Sequence, residues 1–151
     1  MRILLMSIVL FLSVQLYAQC DGFPLWLQGT WEIASPEGSS FEEWILVGDT
    51  LKGRTYRMFG ADTLVFENME IRCHNKQATY FMNASMNKAR VWAGFSPSQI
   101  TNNVWLWQNN VTDFPYLISY NIIDDTTVSV WFQSKIPDQG CVDFIMIKKT
   151  P

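Results

Sequence analysis

Three acids and one histidine are the residues of this sequence whose types and spacing could do chemistry. In "FEEWILV" a period of two puts Glu42 on the face of Trp44 and Leu46, and in "VFENMEI" it puts Glu67 in line with Val65, Met69 and Ile71. An acid in an apolar row that turns inward must find a partner or hold its proton. Together with Trp44, and with Tyr56 or Arg57 from the neighbouring strand, Glu42 and Glu67 would then make a polar spot inside an apolar cup, the usual composition of a small-ligand site. The competing expectation is structural: a salt bridge to Arg54 or Arg57, or an edge strand whose acids meet water. Nothing in the spacing sets the distance between the two carboxylates, so no acid/base pair is complete.

Asp113 is the third acid, in "NNVTDFPYLISY". Asn109 and Asn110 favour turns, Pro115 fixes φ, and Phe114 before it is biased to extended geometry. Turn chemistry alone accounts for every residue present, so Asp113 is expected to organise the corner by accepting backbone N–H groups, with ligand contact or catalysis as the alternatives. His74 is the one histidine and lies in "RCHNK", at a strand end before a turn. Cys73 beside it faces the other side of the strand, and no second histidine or spaced acid pair completes a metal or haem set. No cofactor is assigned. Ser-His-Asp chemistry fails for the same reason. Trp105 and Trp107 share a face in "VWLWQ"; they either line a cavity or fill a core, and Trp131 in "SVWFQ" would extend the row.

The elements that must position these residues are short. Runs of five to eight alternating or apolar residues are separated by turn residues throughout, with no sustained helical period, which is the pattern of a sandwich or barrel. The runs are "GTWEIA", "FEEWILV", "TLKGRTYRMF", "TLVFENMEIRC", "QATYFMN", a less regular piece from Ala84 to Asn103, "VWLWQ", "YLISYNII", "TTVSVWFQ" and "VDFIMIK". Nine or ten closely spaced strands favour antiparallel neighbours, and so many in one small domain tend to curl closed and remove their edges. The expected architecture is all-β: a single antiparallel up-and-down barrel over residues 19–151. No repeat, linker or low-complexity stretch divides it.

Residues 1–18 begin with one cation, run apolar from Ile3 to Leu12 and end on Ala18, the form of a secretory signal peptide. A membrane span needs about 20 apolar residues, and Ser13 and Gln15 interrupt the run first. The mature chain is therefore expected to be exported, periplasmic or extracellular, without a transmembrane span. Cys20 sits where a lipid-modified cysteine would sit, but Gln19 replaces the small residue such signals carry before it. Cys20, Cys73 and Cys141 allow at most one internal disulfide, and spacing does not choose among the three pairings. Losing Arg2 takes the formal charge from −3 to −4, and the remaining cations are scattered, which disfavours nucleic acid. Asn110-Val111-Thr112 and Asn83-Ala84-Ser85 fit the glycosylation acceptor pattern. No feature sets an oligomeric state.

"LWLQGTWEI", Leu25 to Ile33, is similar to the opening of lipocalin-like (calycin) barrels, where a Gly-x-Trp closes one end. The order "LQGTW", "EEW", "GDTLKG", "VFENMEI", "ATYF" and "NNVTDFPYLISY" further resembles a family of secreted, mostly bacterial lipocalin-like domains without assigned function, over about Leu25 to Gln133. In that family the corner reads Asn-Pro-x-His-Asp-Phe-Pro. Here Asn110 replaces the first Pro and Thr112 the His, which removes any role for that imidazole. The resemblance implies a barrel; function is a separate matter. The aromatic content of 15% and the acids on apolar rows make a binding module for a small apolar or amphipathic molecule the leading expectation. A filled structural or protein-interaction domain of the cell envelope is the alternative, and a hydrolase or isomerase using Glu67 or Asp113 a third.

Overall fold

The computed structural model of the chain describes residues 20–84 and 91–150. The signal segment expected over residues 1–18 lies outside them. Ten strands follow one 3₁₀ turn, Leu25–Leu27: β1 (Gly29–Ile33), β2 (Ser40–Val47), β3 (Thr50–Phe59), β4 (Asp62–His74), β5 (Gln77–Ala84), β6 (Ala93–Ile100), β7 (Val104–Gln108), β8 (Leu117–Asp124), β9 (Thr127–Gln133) and β10 (Cys141–Lys148). Each pairs antiparallel with its sequence neighbours, and β10 returns to β1 through Trp31↔Lys148 and Glu32↔Ile147, which closes an up-and-down barrel. Closure leaves no sheet edge unpaired. The piece from Ala84 to Asn103, irregular in sequence, carries β6; its Pro97 sits where the register to β7 slips, a position that does not require the missing N–H.

Turn chemistry sets the tight hairpins. Gly48 turns β2 into β3 with φ at 63°, while Asn75 and Lys76 take φ of 50° and 64° between β4 and β5, the left-handed pair that matches strand twist. A bulge then breaks the expected face of β4. Thr55 pairs with Glu67, but Tyr56 pairs with Val65, so Phe66 is unopposed and Val65 leaves the row of Glu67, Met69 and Ile71.

The two ends of the barrel are built differently. At one end, residues 20–28 lie across the opening. Leu27 is fully buried there, and its carbonyl accepts the Trp31 indole N–H at 2.7 Å. The Trp105 indole donates to the Gly22 carbonyl at 2.8 Å, Trp26 packs on both Trp31 and Trp105, and Lys148 Nζ lies 5.0 Å from the Trp31 ring centre while donating to the Trp26 carbonyl. Gly22 has φ of 70° and lies so close to Ile100 that any side chain would overlap it. Two tethers hold the segment: a bridge from Asp21 to Gln77 and a disulfide from Cys20 to Cys73, whose Cα atoms are 5.7 Å apart. A sulfur in that disulfide cannot also carry a thioether-linked lipid. Cys141 is free and exposed.

Behind this plug the inward residues Leu51, Ile71, Ala78, Val128 and Met146 are completely buried. A stack of rings fills the middle, with Tyr80 within 5.3–6.2 Å, centre to centre, of Trp44, Phe95, Trp107 and Tyr120. Toward the opposite end the inward residues Ile33, Thr55, Arg57, Glu67, Ala93, Phe132 and Phe144 are only half-buried. Among the described residues that end is the less tightly packed one, the open end.

Candidate functional site

Glu42 stands at the boundary between the filled middle and the open end. The residue is 2% exposed, and it turns inward because β2 alternates Ser40, Glu42 and Trp44 on the face that closes over the core. Two donors meet one of its oxygens. Trp44 Nε1 donates to Glu42 Oε1 at 2.7 Å, and the Tyr120 hydroxyl, 78 residues away in sequence, donates to the same atom at 3.0 Å. Tyr80 continues the chain, its hydroxyl 3.5 Å from that of Tyr120. The Trp44 indole can lie where it does because its cross-strand partner is Gly53: a Cβ at that position would come within 2.8 Å of the ring.

Burial raises the Glu42 carboxyl to about 7, against the pull of the Trp44 and Tyr120 donors, and the charge of Glu67 pushes in the same upward direction. Burial also raises Glu67. Tyr80 and Tyr120 are held well above the ordinary tyrosine range by burial and by the Glu42 charge, so both remain neutral donors. Glu42 Oε2 receives no donor from any described residue. The arrangement can therefore hold or release a proton near neutrality and offer one free acceptor oxygen.

Glu42, Trp44 and Glu67 come together as the alternation suggested, in a cross-strand row that runs Trp31, Glu42, Thr55, Glu67. Tyr56 does not join them. It pairs with Phe41 and Val65 on the outer wall, where its ring stacks on Phe41 at 5.5 Å and carries the Arg54 guanidinium at 4.9 Å. Arg57 is the inward cation of β3, and it bonds to Ser40 Oγ at 3.3–3.4 Å near the rim. The salt bridge entertained for Glu42 does not form, since Arg54 pairs outside with Glu43 at 2.7 Å.

Trp105 belongs to the plugged end, and Trp107 is fully buried beside Tyr80 with its indole on the Ala78 carbonyl at 2.8 Å, so both fill rather than line. Trp131 does not extend their row, because β9 turns Val128, Val130 and Phe132 inward and Trp131 outward. There it borders a cleft of about 540 Å³ with Ser134, Ile136, Pro137 and Cys141 on the outer wall. Asp113 is exposed on the rim, and its backbone carbonyl, not its carboxylate, holds the corner by accepting from Lys135 N at 2.8 Å and Ser134 Oγ at 3.2 Å. The side-chain organiser is Asn109: Oδ1 accepts from Val111 N and Thr112 N, and Nδ2 donates to the Gly94 carbonyl. Asn83 of the second acceptor pattern is buried, while Asn110 is exposed.

Tyr80 and Tyr120 were not singled out in the sequence. Each is a tyrosine on an apolar row, and a buried hydroxyl needs a partner, so the signal was present but did not name which. Among the described residues no group of three His, Cys, Asp or Glu side chains converges, and no helix is long and apolar enough to cross a membrane. No protein-family model, curated protein or solved structure matches the chain.

Proposed function

We propose that the protein is an exported barrel that binds one small amphipathic molecule in its open half, with Glu42 and Glu67 as the polar groups at the floor. The observation that carries this reading is the Glu42 carboxylate, buried and, among the described residues, without a cation and with one oxygen left over. Removing a carboxylate from water costs several kcal/mol unless it is paired, and an apolar side chain of similar size would serve a purely structural core better. Buried, perturbed acids gather at functional sites for this reason. Half-buried Phe132 and Phe144, 5.8 Å apart, supply apolar wall beside it. The kinship with secreted lipocalin-like domains belongs to the same proposal, and so does export, which the Cys20–Cys73 disulfide fits.

A second reading has its own support: the ring stack around Tyr80 occupies the middle of the barrel, as a filled structural or interaction domain would require. Native mass spectrometry of the protein purified gently from the cells that make it separates the two. A stoichiometric small molecule, released on denaturation, supports the binding reading. A bare, folded mass favours the filled barrel.

A further inference from the structure

Resting on the open half as the ligand site, we propose that the molecule it takes is a hydrophobic amine in its protonated form, its ammonium seated between Glu42 and Glu67 and its apolar body against Phe132 and Phe144.

The charges around the site point this way. Glu42 and Glu67 flank Thr55 in one cross-strand row, so their backbones are about 10 Å apart and their side chains reach into the same space. Burial is the main cause that holds Glu42 protonated, and the Glu67 charge adds to it. Among the described residues the walls supply few other charges. β3 contributes Arg57, turned to Ser40 at the rim; β5 and β8 contribute the neutral Tyr80 and Tyr120; β1, β9 and β10 contribute Trp31, Phe132 and Phe144. Lys148 is on the plugged side, over Trp31 and bonded to the Trp26 carbonyl. Arg54, Arg72 and Lys149 are engaged outside with Glu43, Glu70 and Glu32. Among the described residues, two inward carboxylates thus face one cation at the edge.

The hydrogen-bond count agrees with the charge. Among the described residues every donor on Glu42 falls on Oε1, which leaves Oε2 on a residue 2% exposed as an acceptor with no donor of its own. An ammonium brings three donors and the missing positive charge, whereas a carboxylate ligand would bring neither. The rings of Trp44 and Tyr120, whose polar atoms already bind Glu42, bring aromatic electron density to the same place, and such rings favour an ammonium close by.

Binding should release a proton, because the ammonium selects the ionised carboxylate. With Glu42 near 7, affinity should rise about tenfold from pH 6 to pH 8. The test uses three probes of nearly equal size on the full-length mature protein: 2-phenylethylammonium, 2-phenylethanol and phenylacetate, titrated calorimetrically at both pH values. The expected result is that the ammonium binds at least tenfold tighter than the alcohol, with that pH dependence and with proton uptake by buffer. Glu42→Gln should cost tenfold or more and flatten the profile, and its amide oxygen can still accept from Trp44 and Tyr120, so the fold should survive. Glu67→Gln, at a half-buried position, should weaken binding severalfold and serves if the first variant is unstable. Equal binding of ammonium and alcohol with a flat profile overturns the amine and leaves the ligand site standing. Preference for phenylacetate also overturns it, by making Arg57 the anchor. Failure of all three probes at millimolar concentration overturns the amine and the ligand site together.

Discussion

One end of this barrel is sealed and the other, among the described residues, is only half-buried, although the same ten strands run through both. At the sealed end Leu27, Leu51, Ile71 and Met146 are fully buried and the indole N–H groups of Trp31 and Trp105 are satisfied by carbonyls of the N-terminal segment. At the open end inward Phe132, Phe144, Glu67 and Arg57 stay half-buried. The difference comes from a short stretch that belongs to no strand. Residues 20–28 bring apolar bulk and backbone acceptors to one opening, and no described segment does the same at the other. Tight packing at one end is what lets the other hold a carboxylate that stability alone would not choose.

The comparison can be broken most directly at the plug. Cys73→Ser removes a cross-link spanning 53 residues, and loop-closure entropy makes that worth about 4 kcal/mol. Denaturant unfolding of the non-reduced proteins should show a loss of this size, and an unchanged midpoint would mean that packing alone seats the plug. Next in size is Glu42→Gln, which should act with the opposite sign. The Glu42 pKa is raised from 4.5 to about 7 on folding, so the folded state binds the proton more tightly, and the penalty is absent below pH 4.5 and complete above pH 7. Wild-type stability should therefore fall as pH rises through this window, by about 3 kcal/mol from this group. The variant should match the wild type near pH 4.5 and exceed its stability by up to that amount at pH 8. Parallel curves for the two proteins would show that Glu42 is not buried as an acid.

The smallest expected effects separate two residues of the rim. Asn109→Ala removes three side-chain bonds from the corner and should lower stability by about 1–2 kcal/mol. Asp113→Ala leaves the backbone carbonyl in place and should change the melting temperature little, within about 0.5 kcal/mol. The reverse order would return the corner to Asp113.

How far the sequence reaches is visible in the same residues. Glu42 with Trp44 could be read as inward because alternation holds through that part of β2, although Leu46 farther along the same face is exposed. Val65 could not, since the bulge in β4 shifts the face without any glycine or proline to announce it. Tyr56 faces out by the plain alternation of β3, which turns Leu51, Gly53, Thr55 and Arg57 inward. Asp113 looked like the corner's acceptor because an Asp before Phe-Pro suits that role, yet Asn109 performs it with the same Oδ1 chemistry four residues earlier.

By itself the sequence determined the run of short strands, the tight turns at Gly48 and Asn75, the meander that short connections enforce, and the presence of acids on apolar rows. These are local properties, written in period and turn residues. Only the tertiary structure decided that Cys20 pairs with Cys73, that residues 20–28 close one end, and that Tyr120 crosses the barrel to meet Glu42. Those partners are distant in sequence, and closure of the barrel through β1 and β10 is what brings them within bonding distance.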